Sequence, residues 1–284
     1  MDGILVINKP LGLTSHQCVN YVRKVFNTKK VGHSGTLDPE ASGVLVLGIN
    51  KGTKLLHYLN QDVKRYRFTL RLGQTTDTLD HTGKIIDEKP LENITDFDDI
   101  LTRFIGDYNQ VPPAYSAVKV KGKKLYQYAR NNETIPKLDA RYIQIFDLKR
   151  ISDFVSQEKA VDVDCDVFAS KGLYIRVLAS DIASALNTVG HTAMIHRTQA
   201  GAFTIEDAVN LSETITDALI PMHHALKDMP KYIVSNKEKD AIRHGQKMTL
   251  NHHAERLQCI DENGQLIAIY ERKDHRYKAK NVFI

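Results

Sequence analysis

Residues 32–43 read Gly-His-Ser-Gly-Thr-Leu-Asp-Pro-Glu-Ala-Ser-Gly and run directly into the apolar stretch Val-Leu-Val-Leu-Gly-Ile at 44–49. Three glycines in twelve positions let the backbone take positive φ or approach a ligand closely. Pro39 biases Asp38 toward extended geometry and away from helix. Two readings of Asp38 stay open at this point. It can cap a helix with Pro39 at the first helical position, or it can be a presented, ionised carboxylate. The two are not exclusive. The apolar stretch that follows reads as a buried strand, so a polar, glycine-hinged loop is anchored directly to the core.

The rest of the chain supplies a frame for that loop. Residues 3–8 (GILVIN) read as a buried strand stopped by Lys9-Pro10-Leu11-Gly12. Thr14 or Ser15 can cap a helix running to about Phe26, with Val19, Val22 and Phe26 on one face. The loop is expected to span 31–43. Helix is expected over 54–60, strand over 66–72, and an Asp-capped helix over 96–105. Strands are expected at 141–148, 160–168 and 173–178, with a short helix at 181–186. Residues 119–140 are Lys-rich, carry Tyr126 and Tyr128, and read as an excursion from the core. A shift near Met229-Pro230 divides a body, 1–229, from a module, 230–284, with a helix at 237–244 ended by Gly245 and strands at 255–260 and 266–270. That module is small for an independent core and is expected to lean on the body.

Hydrophobic residues make up 42% and charged residues 26% of the 284 positions, which is ordinary globular usage and excludes a disordered chain. No apolar run approaches the roughly 18–20 residues of a membrane helix. Asp2 and Lys9 interrupt the N-terminal apolar stretch where a signal peptide would continue. Cys18, Cys165 and Cys259 are too scattered for a disulfide framework or a cysteine zinc site. A soluble cytoplasmic protein is expected. The net charge of +5 is uneven: 119–150 carries nine Lys and Arg against three acids, and 231–284 eleven against seven. Two basic segments on an acidic remainder suggest a polyanionic partner, most simply nucleic acid, with two solvated surfaces as the alternative.

Several chemistries are absent. Gly43-Val-Leu-Val-Leu-Gly48 is followed by Ile49-Asn50 where a phosphate loop needs Lys-Ser/Thr. Gly32-His33-Ser34-Gly35 places its second glycine one residue too early for a nucleophile elbow. His191 and His196 lack the HExxH pattern of a zinc helix, and no dinucleotide fingerprint occurs. Nothing calls for a cofactor.

The stretch HSGTLDPEASGVLVLGINKGTK resembles the catalytic motif of the TruB-type tRNA pseudouridine synthases. Three further blocks resemble that family in order and spacing: Lys64-Arg65-Tyr66-Arg67 running to Leu72-Gly73-Gln74-Thr75-Thr76-Asp77-Thr78-Leu79-Asp80, then Gln110-Val-Pro-Pro-Ala-Tyr-Ser-Ala-Val-Lys119 continuing to Arg130, then Ser170-Lys-Gly-Leu-Tyr174-Ile-Arg176. The resemblance covers roughly residues 3–200. It implies an α+β pseudouridine synthase fold: a mixed, mostly antiparallel sheet with flanking helices, Asp38 in a central cleft, and a small C-terminal β-rich module of the PUA type. The implied reaction converts uridine 55 in the T loop of tRNA to pseudouridine, breaking an N-glycosidic bond, rotating the base and forming a C–C bond, with no cofactor or metal.

The resemblance also implies roles. Asp38 is the nucleophile and Arg176 the arginine paired with it, whose permanent charge keeps a carboxylate ionised. Tyr66 stacks on the target base, His33 lies near the flipped base, and Tyr174 and Ile195 contact substrate; each of these residue types also commonly serves only as core or solvated surface. The basic 119–150 segment falls at an RNA-gripping insertion, with Lys121, Lys123 and Lys124 as phosphate contacts. Base flipping is required, because a stacked uridine cannot reach a carboxylate. Nothing calls for more than a monomer. The alternatives are a non-catalytic RNA-binding protein on the same scaffold and a carboxylate enzyme such as a glycoside hydrolase, which would want a second acid and an aromatic platform, whereas the chain has no Trp.

Overall fold

The computed structural model describes residues 1–59, 62–91, 95–116, 118–120, 122–131, 133–212 and 215–284. Eleven strands among the described residues form one sheet. Its main members are β1 (Gly3–Lys9), β2 (Val31–Ser34), β3 (Ala41–Ile49), β4 (Val63–Leu72), β5 (Gly106–Gln110), β6 (Arg141–Arg150), β7 (Val161–Ser170) and β8 (Gly190–Ala200). They run in the order β1-β3-β8-β4-β7-β6-β5, with β2 on β3. Each pairing is antiparallel except β3 with β8, where Ile195 lies opposite Ala41 and Arg197 opposite Gly43. The architecture is therefore α+β with a mixed, mostly antiparallel sheet.

Strand β4 shows how the sheet divides inside from outside. Lys64, Tyr66, Phe68, Leu70 and Leu72 are buried, while the residues between them are partly or fully exposed. The inner row joins a core with Phe97 and Leu101 of α2 (Phe97–Thr102) and Leu178 and Ile182 of α4 (Ile175–Ala185). The outer row meets a row of aspartates on β7: Arg65 Nε lies 2.6 Å from Asp166, Thr69 Oγ1 2.5 Å from Asp164, and Arg71 makes two bonds of 2.7 Å to Asp162. These cross-strand pairs let the face stay wet without exposing apolar surface.

The N-terminal helix α1 (Ser15–Val25) begins with a complete capping box between Thr14 and Gln17. Other elements differ from expectation. Only residues 35–40 remain loop between β2 and β3, because 31–34 and 41–43 extend the flanking strands. The helix expected at 54–60 is a 3-10 segment, Asn50–Leu55. Residues 173–178 are not a strand. Ile175, Leu178, Ala179, Ile182 and Ala183 bury one helical face, and that spacing over eleven residues outweighs the β-branched local sequence. Helix α2 begins after Asp96, but that side chain makes no cap bond. The expected insertion over 119–150 is shorter, since 141–150 is β6 in the central sheet. The excursion itself is a small hairpin, 119–120 with 123–124, followed by α3 (Leu125–Arg130).

The C-terminal part forms a separate sheet of β9 (Lys231–Ile233), β10 (Arg256–Ile260), β11 (Leu266–Lys273) and β12 (Arg276–Val282), with α5 (Asn236–Arg243) against it. It shares core with the body. Ile260, Leu266, Ile269 and Phe283 cluster with Ile4, Val6, Val44 and Val46, and Lys51 Nζ donates to the Phe283 carbonyl.

Candidate active site

The turn that carries Asp38 is held from beneath by buried polar side chains. Lys9, fully buried at the end of β1, donates to the carbonyls of Pro10 (2.8 Å), Leu13 (2.6 Å) and Pro39 (3.3 Å). Ser15 at the start of α1 exchanges two bonds with Leu37, donating to its carbonyl at 3.1 Å and accepting from its N–H at 2.9 Å. Arg197 of β8, 1% exposed, donates to the carbonyls of Val44 (2.8 Å) and Gly35 (3.0 Å). Gly43 sits at φ +105°, and a Cβ there would lie 2.2 Å from the Arg197 carbonyl oxygen, so only glycine fits this end of the parallel β3–β8 pairing.

No helix starts at Asp38, which overturns the capping alternative. The chain instead turns back on itself, the Ala41 N–H donating to the Asp38 carbonyl at 3.1 Å, and β3 begins at Ala41. The Asp38 carboxylate stands half exposed, with one oxygen 2.8 Å from Arg176 Nη2. Arg176, in the first turn of α4, is 5% exposed, and its guanidinium also donates to the carbonyls of Thr78 (2.9 Å) and Tyr115 (2.8 Å). Asp80 lies 3.5 Å away on the other guanidinium nitrogen. The second Asp80 oxygen is occupied by the Thr78 hydroxyl (2.7 Å), the Thr82 hydroxyl (2.6 Å) and the Thr82 N–H (3.1 Å). One buried cation thus links three loops, and its planar fork is what allows three acceptors and a further ion pair with Asp80 at once.

These groups face a cleft of about 790 Å³ lined by Thr14, His16, His33, Thr36, Asp38, Glu40, Thr78, Asp80, Tyr115, Ser116, Lys124 and Arg176, among others. His33 is partly buried on β2, and burial, with the charges of Arg197 and His16, pushes its imidazole below the usual range and toward the neutral form. Tyr174, at the N-cap of α4, has its hydroxyl pushed up by burial, partly offset by Arg141 and by the neighbouring Ser116. Ile195 of β8 borders a narrow crevice beside Asp38, with Ala41, Asp80 and Arg176. Tyr66 is buried in the cluster that contains Leu37, Ala41 and Ile195 and does not line the open cleft. Across the rim, His81 lies 3.5 Å from Glu40.

The arm lysines divide. Lys121 lies outside the described residues. Lys123 is held within the arm, 2.5 Å from Glu133 and 4.6 Å above the Tyr128 ring. Lys124 lines the cleft.

Sequence reading did not single out Lys9, Ser15, Asp80 or Arg197 for the site. A buried lysine or arginine has no local signature, since both residue types are overwhelmingly exposed. Asp80 was within reach, because Thr78-Leu-Asp-His-Thr82 has the threonine and aspartate spacing of a side-chain-locked turn.

The model of one sequence family, described as TruB family pseudouridylate synthase (N terminal domain), matches residues 23–175. Among curated relatives, tRNA pseudouridine synthase B of Staphylococcus saprophyticus is 40% identical, over 99% of both chains. The protein of the same name from Streptococcus mutans is 35% identical over the full length of both. Among solved structures, a chain of a Cbf5-Nop10-Gar1 complex superposes with a TM-score of 0.70 at 22% identity, covering 99% of this chain and 85% of that one. A chain of an H/ACA RNP bound to a substrate RNA containing 2'-deoxyuridine gives 0.70 at 20% identity with the same coverage, a likeness of fold.

Proposed function

Because the chain belongs to the TruB family of pseudouridylate synthases, we propose that it is a cytoplasmic tRNA pseudouridine synthase acting as a monomer on uridine 55 of the T loop. The observation that carries this reading is the Asp38–Arg176 pair: a half-exposed carboxylate in an open cleft, 2.8 Å from a guanidinium that is itself buried. A buried arginine keeps its charge, and its charge-assisted bond holds the Asp38 carboxylate in one orientation at the open cleft. Asp80, mostly buried, lies 3.5 Å from the other terminal nitrogen of the same cation, so the guanidinium keeps an anionic neighbour if Asp38 changes partners during reaction.

The chemistry is an isomerisation, so atoms and electrons balance within the nucleotide. Asp38 adds covalently to the flipped uridine, and the N1–C1′ bond breaks. The base turns, C5 bonds to C1′, the C5 proton leaves, N1 gains a proton and the carboxylate is released. Tyr66 is assigned the buried layer packed in the same cluster as Ile195, which the base reaches only if that cluster opens. Tyr174 and Ile195 are assigned the apolar walls that receive the base, and His33, whose imidazole burial pushes below the usual range, the rim beside it. The stacking they offer offsets the few kcal/mol of unstacking. Lys124 and the neighbouring basic arm are assigned the phosphates of the T arm, and the C-terminal sheet a second stretch of RNA.

Incubation of unmodified tRNA with the protein, without added metal or cofactor, should yield pseudouridine at position 55 and at no other uridine. Product at a different uridine would overturn the site assignment, and tRNA binding without any product would favour a non-catalytic RNA-binding protein.

A further inference from the structure

Strand β5 ends at Gln110, whose side chain is 1% exposed. A carboxamide so deeply buried must find partners for its donors and its acceptor. Its Oε1 accepts from the Tyr174 N–H at 2.8 Å, and its Nε2 donates to the Tyr174 carbonyl at 3.0 Å. One amide therefore satisfies both backbone groups of a single residue, as a neighbouring strand would. Nε2 also donates to the Tyr108 hydroxyl at 3.2 Å, and that hydroxyl donates to the Asp181 carboxylate.

Tyr108 and Gln110 project from one face of β5, two residues apart. Tyr174 and Asp181 stand at the N-cap and two turns into α4, roughly 10 Å apart along its axis. One strand thus grips one helix at two points, which fixes both its advance along the axis and its rotation. The N-cap needs such help, because the Tyr174 side chain makes no capping bond. Arg176 follows two residues later, and a shift of one residue rise, about 1.5 Å, would break its bonds to Asp38, Thr78 and Tyr115 together. The segment after β5 is tied to the same helix again where the Tyr115 carbonyl accepts from Arg176. Between the two ties lie the buried Pro112 and Pro113, whose fixed φ removes slack.

We propose that Gln110 is a positioning residue for Arg176: its carboxamide, oriented by Tyr108 and Asp181, sets the register of α4 and through it the contact between the guanidinium and Asp38. The inference rests on Asp38 and Arg176 being the reacting pair. Gln110 touches neither of those side chains and acts only through the helix.

Gln110→Leu removes the clamp, Tyr108→Phe removes only the hydroxyl that orients it, and both are combined with Arg176→Lys. In Gln110→Leu the single-turnover rate at saturating tRNA should fall by about tenfold or more while tRNA Kd stays within about twofold. Tyr108→Phe should show a smaller loss of the same kind. In the Arg176→Lys background the further loss from Gln110→Leu should shrink to about twofold, because the residue being positioned is no longer the native one. Equal fold-losses in both backgrounds, or a loss confined to Kd, would overturn the proposal. Amide exchange at Tyr174 in the RNA-free protein gives a readout independent of catalysis. It should quicken by about tenfold or more in Gln110→Leu, and unchanged exchange would also overturn the clamp. Faster exchange in the variant, alongside a wild-type protein that makes no pseudouridine, would support the clamp while removing the proposed reaction.

Discussion

Arg176 is buried yet accepts no substitute easily, because three hydrogen-bond acceptors and the Asp80 carboxylate, on three loops, converge on its two terminal nitrogens. Lysine keeps the charge but offers one compact head group that cannot reach Asp38, Thr78 and Tyr115 together. Arg176→Lys should therefore lower turnover by on the order of 100-fold, about 2.7 kcal/mol of transition-state stabilisation. Its tRNA affinity should be nearly unchanged, which kcat and Kd measured separately will check. Both partners were legible in the sequence because each sits in a short local motif whose residues resemble a known family. Lys9 and Arg197 were not, since their importance arises only when β1 and β8 bring them beneath the loop at 35–40. The hydrogen bonds they make go to backbone carbonyls, which every sequence possesses.

At the scale of elements, the short parallel pairing of β3 with β8 fixes the loop. Gly43→Ala must place a methyl where the Arg197 carbonyl already is, at a φ that favours glycine. It should cost about 2–5 kcal/mol in chemical denaturation, from combined backbone strain and overpacking. Lys64, on the inner row of β4 opposite Ala200 of β8, is 6% exposed, and burial aided by the Arg197 charge pushes its ammonium down to about 7 from 10.5. Between those values the unfolded chain holds the proton more tightly, so this group makes stability rise with pH across roughly pH 7 to 10.5 and weighs most against the fold below pH 7. Lys64→Met should remove that contribution. Its stability–pH profile should be flatter than wild type in that window by at most about 1.4 kcal/mol per pH unit, and a parallel profile would show that Lys64 keeps its proton in the fold. Strand β8 itself escaped sequence reading. Its Gly-His-Thr-Ala-Met-Ile-His-Arg-Thr-Gln-Ala has no clean alternation, because both of its faces are polar in places and its irregular register against β4 interrupts the period. Helix α4 was split into strand and helix for a related reason. Tyr174 to Val177 favours extended structure locally, and only packing against the inner sheet face makes the longer helix worthwhile.

Across the whole molecule, Lys124 of the basic arm lines the cleft, while the C-terminal sheet packs against β1 and β3. Lys123 is paired with Glu133 within the arm, and Lys124 lines the cleft that holds Asp38, closer to where the target loop must enter. Lys124→Ala should reduce the magnitude of the salt slope of tRNA binding by about 0.7–0.9 and Lys123→Ala by much less. Equal changes across a salt titration would show that RNA binding opens the Lys123–Glu133 pair. The C-terminal sheet shares its core with β1 and β3, so the RNA-binding role proposed for it is better tested by surface substitutions than by truncation, which would expose the buried face of Ile4, Val6, Val44 and Val46. That dependence was expected from the module's small size, while strand β12 and its packing were not read. The most direct measurement is single-turnover pseudouridine formation on unmodified tRNA by Asp38→Asn, with tRNA Kd and thermal unfolding determined on the same preparation. Asparagine keeps the size and the hydrogen-bonding oxygen but cannot attack as a carboxylate. Loss of product to background, with Kd within about twofold and unfolding unchanged, is the expected result. Pseudouridine formed by the asparagine variant at near wild-type rate would contradict a nucleophilic Asp38.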